Sequence, residues 1–149
     1  MLAPGAAVMS WRGEDGGIAA ARAGHDVVMA PQKPTYFDHS QSDLVTEPPG
    51  IGGHNSLEAV YAYEPIPAEL SPEEARHVLG SQGQLWTEYM PDPKRVEYMA
   101  WPRLAALSEV LWSPKEGRGW DDFARRLAPH LERLAILDVN YRGRWPKPA

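Results

Sequence analysis

Hydrophobic positions along the chain fall into a repeated pattern: a short apolar run, a polar or glycine-rich corner, then a stretch at helical spacing. The first run is Ala6-Ala7-Val8-Met9-Ser10-Trp11, and Arg12-Gly13-Glu14-Asp15-Gly16-Gly17 forms its corner. A small helix is predicted from Ile18 to Ala23, ending at Gly24, a residue suited to the left-handed position that closes many helices. The second run, His25-Asp26-Val27-Val28-Met29-Ala30, has a β-branched centre that favours a strand. A proline- and glycine-rich excursion follows from Pro31 to about Leu70. That is too long for a structureless connector, so it is expected to carry function or short elements of its own.

Ser71-Pro72-Glu73-Glu74 combines a capping box with a proline where a missing N–H costs nothing, so a helix is predicted to start there. It is expected to run to about Leu79 and stop at Gly80. Gly83-Gln84-Leu85-Trp86-Thr87-Glu88 reads as the third strand. Asp92-Pro93 caps a helical region reaching Trp112, with Trp101, Leu104, Leu107 (or Ser108) and Leu111 as its apolar stripe. Pro102 must kink that region or start a new helix. A last helix, about Trp120 to Leu137, places Phe123, Leu127, Leu131 and Leu134 on one face. It is followed by Tyr141-Arg142-Gly143-Arg144-Trp145, a tail expected to be partly loose. Strands alternating with helices predict an α/β fold with a parallel sheet. Three strands cannot close such a sheet, so unpaired edges are expected on the first and last.

Composition narrows the function more than the fold. The 149 residues suffice for one core, and the net charge of −5 argues against a nucleic-acid binder, which usually shows a basic face. No apolar stretch is long enough to span a membrane, and the first ten residues lack the pattern of an export signal. The absence of cysteine removes disulfides, thiol nucleophiles and thiolate metal sites. The five histidines, His25, His39, His54, His77 and His130, show no ligand spacing, so neither a metal nor another cofactor is expected. Gly50-Ile51-Gly52-Gly53 lacks the setting of a phosphate loop and reads as a turn. Ser10 and Ser81 sit in no nucleophile elbow.

The six tryptophans are the unusual feature. Each is by itself better explained as core, although indole faces also stack on sugar rings. Tyr36 with Asp38, and Trp86 with Glu88, each couple an aromatic ring to a carboxylate two residues on. In an extended backbone such pairs point the same way. Both follow an apolar run, where parallel α/β folds bind ligands, and Trp11 ends the first run similarly. Rings covering apolar sugar faces and carboxylates accepting from hydroxyls would make a carbohydrate site. The competing reading leaves Asp38 and Glu88 as solvated loop charges. Arg103 and Glu109 are expected to make structural polar contacts rather than to act in catalysis.

The order of motifs resembles glycoside hydrolase family 20, the β-N-acetylhexosaminidases. Val8-Met9-Ser10-Trp11-Arg12-Gly13, Gly24-His25-Asp26-Val27-Val28-Met29, Tyr36-Phe37-Asp38, Ile51-Gly52-Gly53 and Leu57-Glu58-Ala59-Val60-Tyr61 carry the likeness. Gly83-Gln84-Leu85-Trp86-Thr87-Glu88 and the segment Trp101-Pro102-Arg103 to Glu109 continue it, so that it covers about Leu2 to Val139. The resemblance implies a (β/α)₈ barrel, about 250 residues in its complete form, with the three runs here as strands six to eight. Residues 1–113 would then be a partial barrel, and 114–149 a C-terminal helix and tail packed on it.

The family removes terminal N-acetylglucosamine or N-acetylgalactosamine by a substrate-assisted, retaining route, in which the substrate's acetamido oxygen is the nucleophile. By resemblance Tyr36 would stabilise that oxygen, Asp38 and Glu88 would accept from sugar hydroxyls, and Trp11 and Trp86 would wall the pocket. The family's catalytic Asp-Glu pair belongs after the fourth strand and has no counterpart here, since Glu14-Asp15 is reversed and follows another strand. The supporting early Arg and His are also missing, and a family tryptophan has no counterpart between His39 and Tyr63. The resemblance therefore implies a fragment that is inactive alone, acts on N-acetylhexosamine-containing glycans, and needs a separate N-terminal half or self-associates. A non-catalytic N-acetylhexosamine-binding module is the alternative. The parent enzyme would be extracytoplasmic, with its signal on the missing N-terminal part.

Overall fold

A computed structural model describes residues 2–143. Three short parallel strands form its sheet in the order β1 (Val8–Ser10), β2 (Val27–Met29), β5 (Val78–Ser81). Helix α1 (Asp15–Arg22) joins the first two strands. Between β2 and β5 lie α2 (Gln32–Thr35), β3 (His39–Ser40), β4 (Ile51–His54), α3 (Leu57–Tyr61) and α4 (Pro72–Ala75). Strands β3 and β4 pair with each other as a separate parallel ladder. After β5 come α5 (Pro93–Ala100), α6 (Arg103–Trp112), a 3₁₀ turn at Lys115–Gly117, and α7 (Trp120–Ile136). The long excursion after Pro31 thus carries elements of its own, as expected. This is an α/β fold, and among the described residues β1 and β5 each keep one unpaired edge.

Local chemistry explains most boundaries. Gly24 takes φ +78° just past α1, where a side chain would be strained. Ser71 and Glu74 close the capping box in both directions, at 2.8 and 3.3 Å. Asp92 Oδ1 accepts from the Arg95 amide at 2.8 Å and starts α5. The break between α5 and α6 falls at Trp101-Pro102, where the proline cannot continue a helix. Phe123, Leu127, Leu131 and Leu134 of α7 are buried in the same cluster as Val27, Met29, Phe37 and Leu107.

Several boundaries differ from the sequence pattern. Helix α1 begins at Asp15, three residues before Ile18, because Gly16 and Gly17 enter the helix. A methyl group at Gly17 would lie 2.7 Å from the Met29 side chain, so glycine lets α1 press onto the sheet. The largest difference concerns the third strand, which is Val78–Ser81 rather than Gly83–Glu88. The helix expected to reach Leu79 stops at Ala75 instead. No residue of α4 is buried, so its capping box starts a turn that no packing extends. Val78 and Ser81 pair with Val27 and Met29, and that long-range ladder claims the segment.

Helix α6 is also rotated from the expected stripe. Its buried residues are Arg103, Ala106, Leu107 and Val110, while Leu104 and Leu111 are half-buried and Trp101 precedes the helix. The described start of the tail, up to Gly143, is anchored. Arg142 is buried and meets Glu47 at 2.5 Å, and its amide donates to the Trp101 carbonyl at 3.1 Å. Arg144 and Trp145 lie outside the described residues.

Candidate functional site

The chain leaves β2 through α2 and returns to extended backbone at Tyr36. There it meets the segment leaving β5. Tyr36 forms a parallel bridge with Gln84, the Gln84 amide donates to the Thr35 carbonyl at 2.9 Å, and the Phe37 amide donates to the Gln84 carbonyl at 2.7 Å. Gln84 is the one residue of the expected third strand that pairs. This bridge continues the β2–β5 pairing beyond the strand ends and sets Tyr36-Phe37-Asp38 beside Gln84-Leu85-Trp86. Gly83 makes the approach possible, since a methyl group there would lie 2.6 Å from the Phe37 ring.

Tyr36 and Asp38 are buried, at 7% and 4% exposure. Asp38 Oδ1 is enclosed without a hydrogen-bond partner among the described residues. Burial pushes the Asp38 carboxyl above its usual range, and the negative charge of Glu88 adds to that rise. Its own backbone, His39 and Arg103 pull the other way. Tyr36 also meets the ring of His39 edge-on, with centroids 6.3 Å apart.

Trp86 and Glu88 are exposed, as is Trp11. Of the five described tryptophans, Trp101 and Trp120 pack against the core, whereas Trp11, Trp86 and Trp112 are exposed and core filling does not account for them. Trp11 follows β1, its carbonyl accepts from the Gln32 amide at 3.0 Å, and Arg12 stacks on its ring at 4.7 Å. It lines a cleft of about 300 Å³ with Arg12, Gly13 and Gly16, and the other four candidate residues do not line that cleft. Trp112, at 90% exposure on α6, lines a different cavity, with Trp101 and His130, that none of the candidate residues lines.

The backbone of the Tyr36 segment is held from below. Asn55 Nδ2 donates to the Tyr36 carbonyl at 2.8 Å. Arg103 donates to the Phe37 carbonyl at 2.7 Å and the His39 carbonyl at 3.0 Å. The Ile51 amide donates to the Asp38 carbonyl at 3.1 Å. Arg103 and Glu109 therefore make polar contacts, as expected; Glu109 accepts from the Tyr61 hydroxyl and from Arg126, each at 2.8 Å. The sequence reading passed over Asn55, although an amide immediately after a Gly-Gly strand was a usable signal. It also passed over Gly83, whose importance lies in a contact with Phe37 that spacing does not reveal.

The arrangement offers buried and exposed carboxylates with a phenol and indoles at the C-terminal ends of parallel strands, a set of groups suited to a polyhydroxylated ligand. A β-hexosaminidase of Porphyromonas gingivalis is 50% identical over 147 residues, covering 98% of this chain and 19% of its own length. A β-N-acetylhexosaminidase of Cellulomonas fimi is 39% identical over 142 residues, covering 88% of this chain and 27% of its own. The chain thus spans a fifth to about a quarter of these relatives.

Among solved structures, the family 20 exo-β-N-acetylglucosaminidase of Vibrio harveyi, in complex with N-acetylglucosamine, matches with a TM-score of 0.84 at 38% identity. That match covers 94% of this chain and 22% of the other. The β-N-acetylhexosaminidase of Streptomyces coelicolor matches with a TM-score of 0.85 at 29% identity, over 99% of this chain and 31% of its own. The model of the glycosyl hydrolase family 20 catalytic domain matches residues 1–115, and the chain belongs to that family.

Proposed function

We propose that this chain supplies one wall of the sugar pocket of a β-N-acetylhexosaminidase that releases terminal N-acetylglucosamine or N-acetylgalactosamine. The observation that carries this is the Tyr36–Gln84 bridge, which lays two aromatic–x–carboxylate triplets side by side beyond the ends of β2 and β5. In this reading the Tyr36 hydroxyl donates to the substrate's acetamido oxygen as that oxygen attacks the anomeric carbon. That oxygen gives up electron density as it attacks, so the hydrogen bond serves to hold it in line with the anomeric carbon, a positioning role felt in the chemical step. Asp38 and Glu88 accept from hydroxyls on the far side of the same ring, and Trp11 and Trp86 cover its apolar surfaces. Strands β1, β2 and β5 correspond to strands six, seven and eight of a (β/α)₈ barrel. Residues 1–113 form the barrel portion, and 114–149 the helix and tail packed on it.

The proton donor lies outside this wall, so the chain alone is inactive and acts together with the rest of a barrel. Support comes from its sheet edges: among the described residues β1 and β5 each keep one unpaired edge, as strands awaiting neighbours would. Purified chain should not hydrolyse an aryl N-acetyl-β-glucosaminide. A chimera in which it replaces the matching segment of the Porphyromonas gingivalis relative should do so. There Tyr36→Phe should lower kcat far more than it changes KM. Turnover by the chain alone that Glu88→Gln abolishes, or a folded chimera without activity, would overturn the proposal.

A further inference from the structure

Arg103 is the largest fully buried side chain of the described residues. A guanidinium carries five N–H donors and a charge that is costly to remove from water. A methionine or leucine would fill a core position on α6 without that cost, so the contacts Arg103 makes must account for it. Its Nη2 donates to the carbonyls of Phe37 and Met99 at 2.7 and 2.6 Å, and its Nη1 to those of His39 and Asn55, both at 3.0 Å. The guanidinium also stacks on the Phe37 ring at 4.8 Å. Two of the four carbonyls belong to the residues immediately before and after Asp38. A third belongs to Asn55, whose side chain holds the Tyr36 carbonyl.

With the Ile51 amide on the Asp38 carbonyl, every carbonyl from Tyr36 to His39 is held, and Arg103 takes the two that flank Asp38. We infer that Arg103 is a positioning residue for Asp38, fixing the plane of the backbone on both sides so that the carboxylate meets a sugar hydroxyl at one set angle. The planar fork is what the task requires. A lysine ammonium carries the charge as a point and cannot span carbonyls two residues apart in a fixed geometry.

This inference rests on the reading of Asp38 as a hydroxyl acceptor, and two measurements separate them. In the chimera described above, Asp38→Asn should lower kcat/KM by about 100-fold, the size of effect expected when one buried polar contact is mispaired. Arg103→Lys should lower it about tenfold, and the double variant should be no worse than Asp38→Asn alone, as for residues acting as a unit. Multiplying losses, or a silent Arg103→Lys, would overturn the positioning role while leaving the reading of Asp38 intact. A silent Asp38→Asn would overturn both.

The second measurement uses the chain itself and does not depend on activity. Arg103→Lys should speed amide exchange at Phe37 and Ile51 by about tenfold or more, while the amides of Leu127 and Leu131 in α7 keep their protection, because the opening is local. Uniform acceleration across α7 and the Tyr36 segment would show Arg103 acting on global stability alone and would overturn the inference.

Discussion

Tyr36–Asp38 and Trp86–Glu88 carry the same pattern, an aromatic ring and a carboxylate two residues apart, yet the first lies buried and the second exposed. Behind the first, Arg103, Asn55 and the Ile51 amide hold four consecutive carbonyls. The second is fastened through Gln84 at one end and by a turn in which the Met90 amide donates to the Thr87 carbonyl at 3.0 Å. Preorganisation at a binding site comes from such supporting contacts rather than from the residues that touch ligand. The two halves of the proposed pocket wall therefore differ in how much ordering remains to be done when sugar arrives. In the proposed pocket the Tyr36 half would be set before binding, and the Trp86 half would be free to adjust.

The largest expected break in this contrast is Arg103→Met. It leaves the carbonyls of Phe37, His39, Met99 and Asn55 without their donor in a buried setting. Each such orphan costs roughly 1–3 kcal/mol, and loss of the buried charge returns part of that. A net loss of about 3–5 kcal/mol by denaturant unfolding is expected, enough to unfold many domains of this size. A loss below about 1 kcal/mol would mean that solvent or other donors replace the arginine, and the first half would not be as firmly supported as its geometry indicates.

Gly83→Ala attacks the joint between the halves. The added methyl would lie 2.6 Å from a ring carbon of Phe37, which is itself fully buried and stacked under Arg103. Overpacking of this kind typically costs about 1–3 kcal/mol. The displacement should pass to both Asp38 and Gln84, so a crystal structure of the variant should show the Tyr36–Gln84 bridge opened. An intact bridge with unchanged stability would show that the two segments meet with slack between them.

How much of this was legible beforehand depended on whether a residue's role is local or long-range. Helix α7 could be read from Phe123, Leu127, Leu131 and Leu134, and β2 from Val27 and Val28, because each follows its own period. The triplets at Tyr36 and Trp86 were legible for the same reason. Strand β5 was not. Val78-Leu79-Gly80-Ser81 follows a strong helix start, and only its ladder to Val27 and Met29 makes it a strand. Gly83, Asn55 and the Arg142–Glu47 pair act across tens of residues and leave no periodic trace. Arg103 gave a partial signal, a lone cation on the same helical face as Ala106, Leu107 and Val110.

A smaller effect concerns the charge shared by the halves. Asp38 lies above its usual range chiefly through burial, with Glu88 adding to the rise. A carboxyl whose pKa is higher folded than unfolded binds its proton more tightly in the native state. Its contribution to stability is therefore greatest below the ordinary carboxylate range and declines as pH rises toward the folded value. Glu88→Gln should lower the Asp38 midpoint, read from its side-chain carboxyl resonance, and should make that decline shallower. No movement of the midpoint would separate the two carboxylates and break the shared site.

The smallest expected effect on stability is that of Trp86→Ala. The indole is half exposed and the neighbouring Thr87, Glu88 and Tyr89 are exposed as well. Substitutions away from buried features usually stay within about 0.5 kcal/mol. Amides of residues 86–89 should exchange faster than those of Phe37 and Ile51 in the unmodified chain, since few buried contacts oppose their opening. In the active chimera the same substitution should nonetheless weaken substrate binding, because an indole that contributes little to the fold remains free to stack on a sugar ring. Exchange at 86–89 as slow as at Phe37 would remove the asymmetry, and both halves of the wall would then count as preformed.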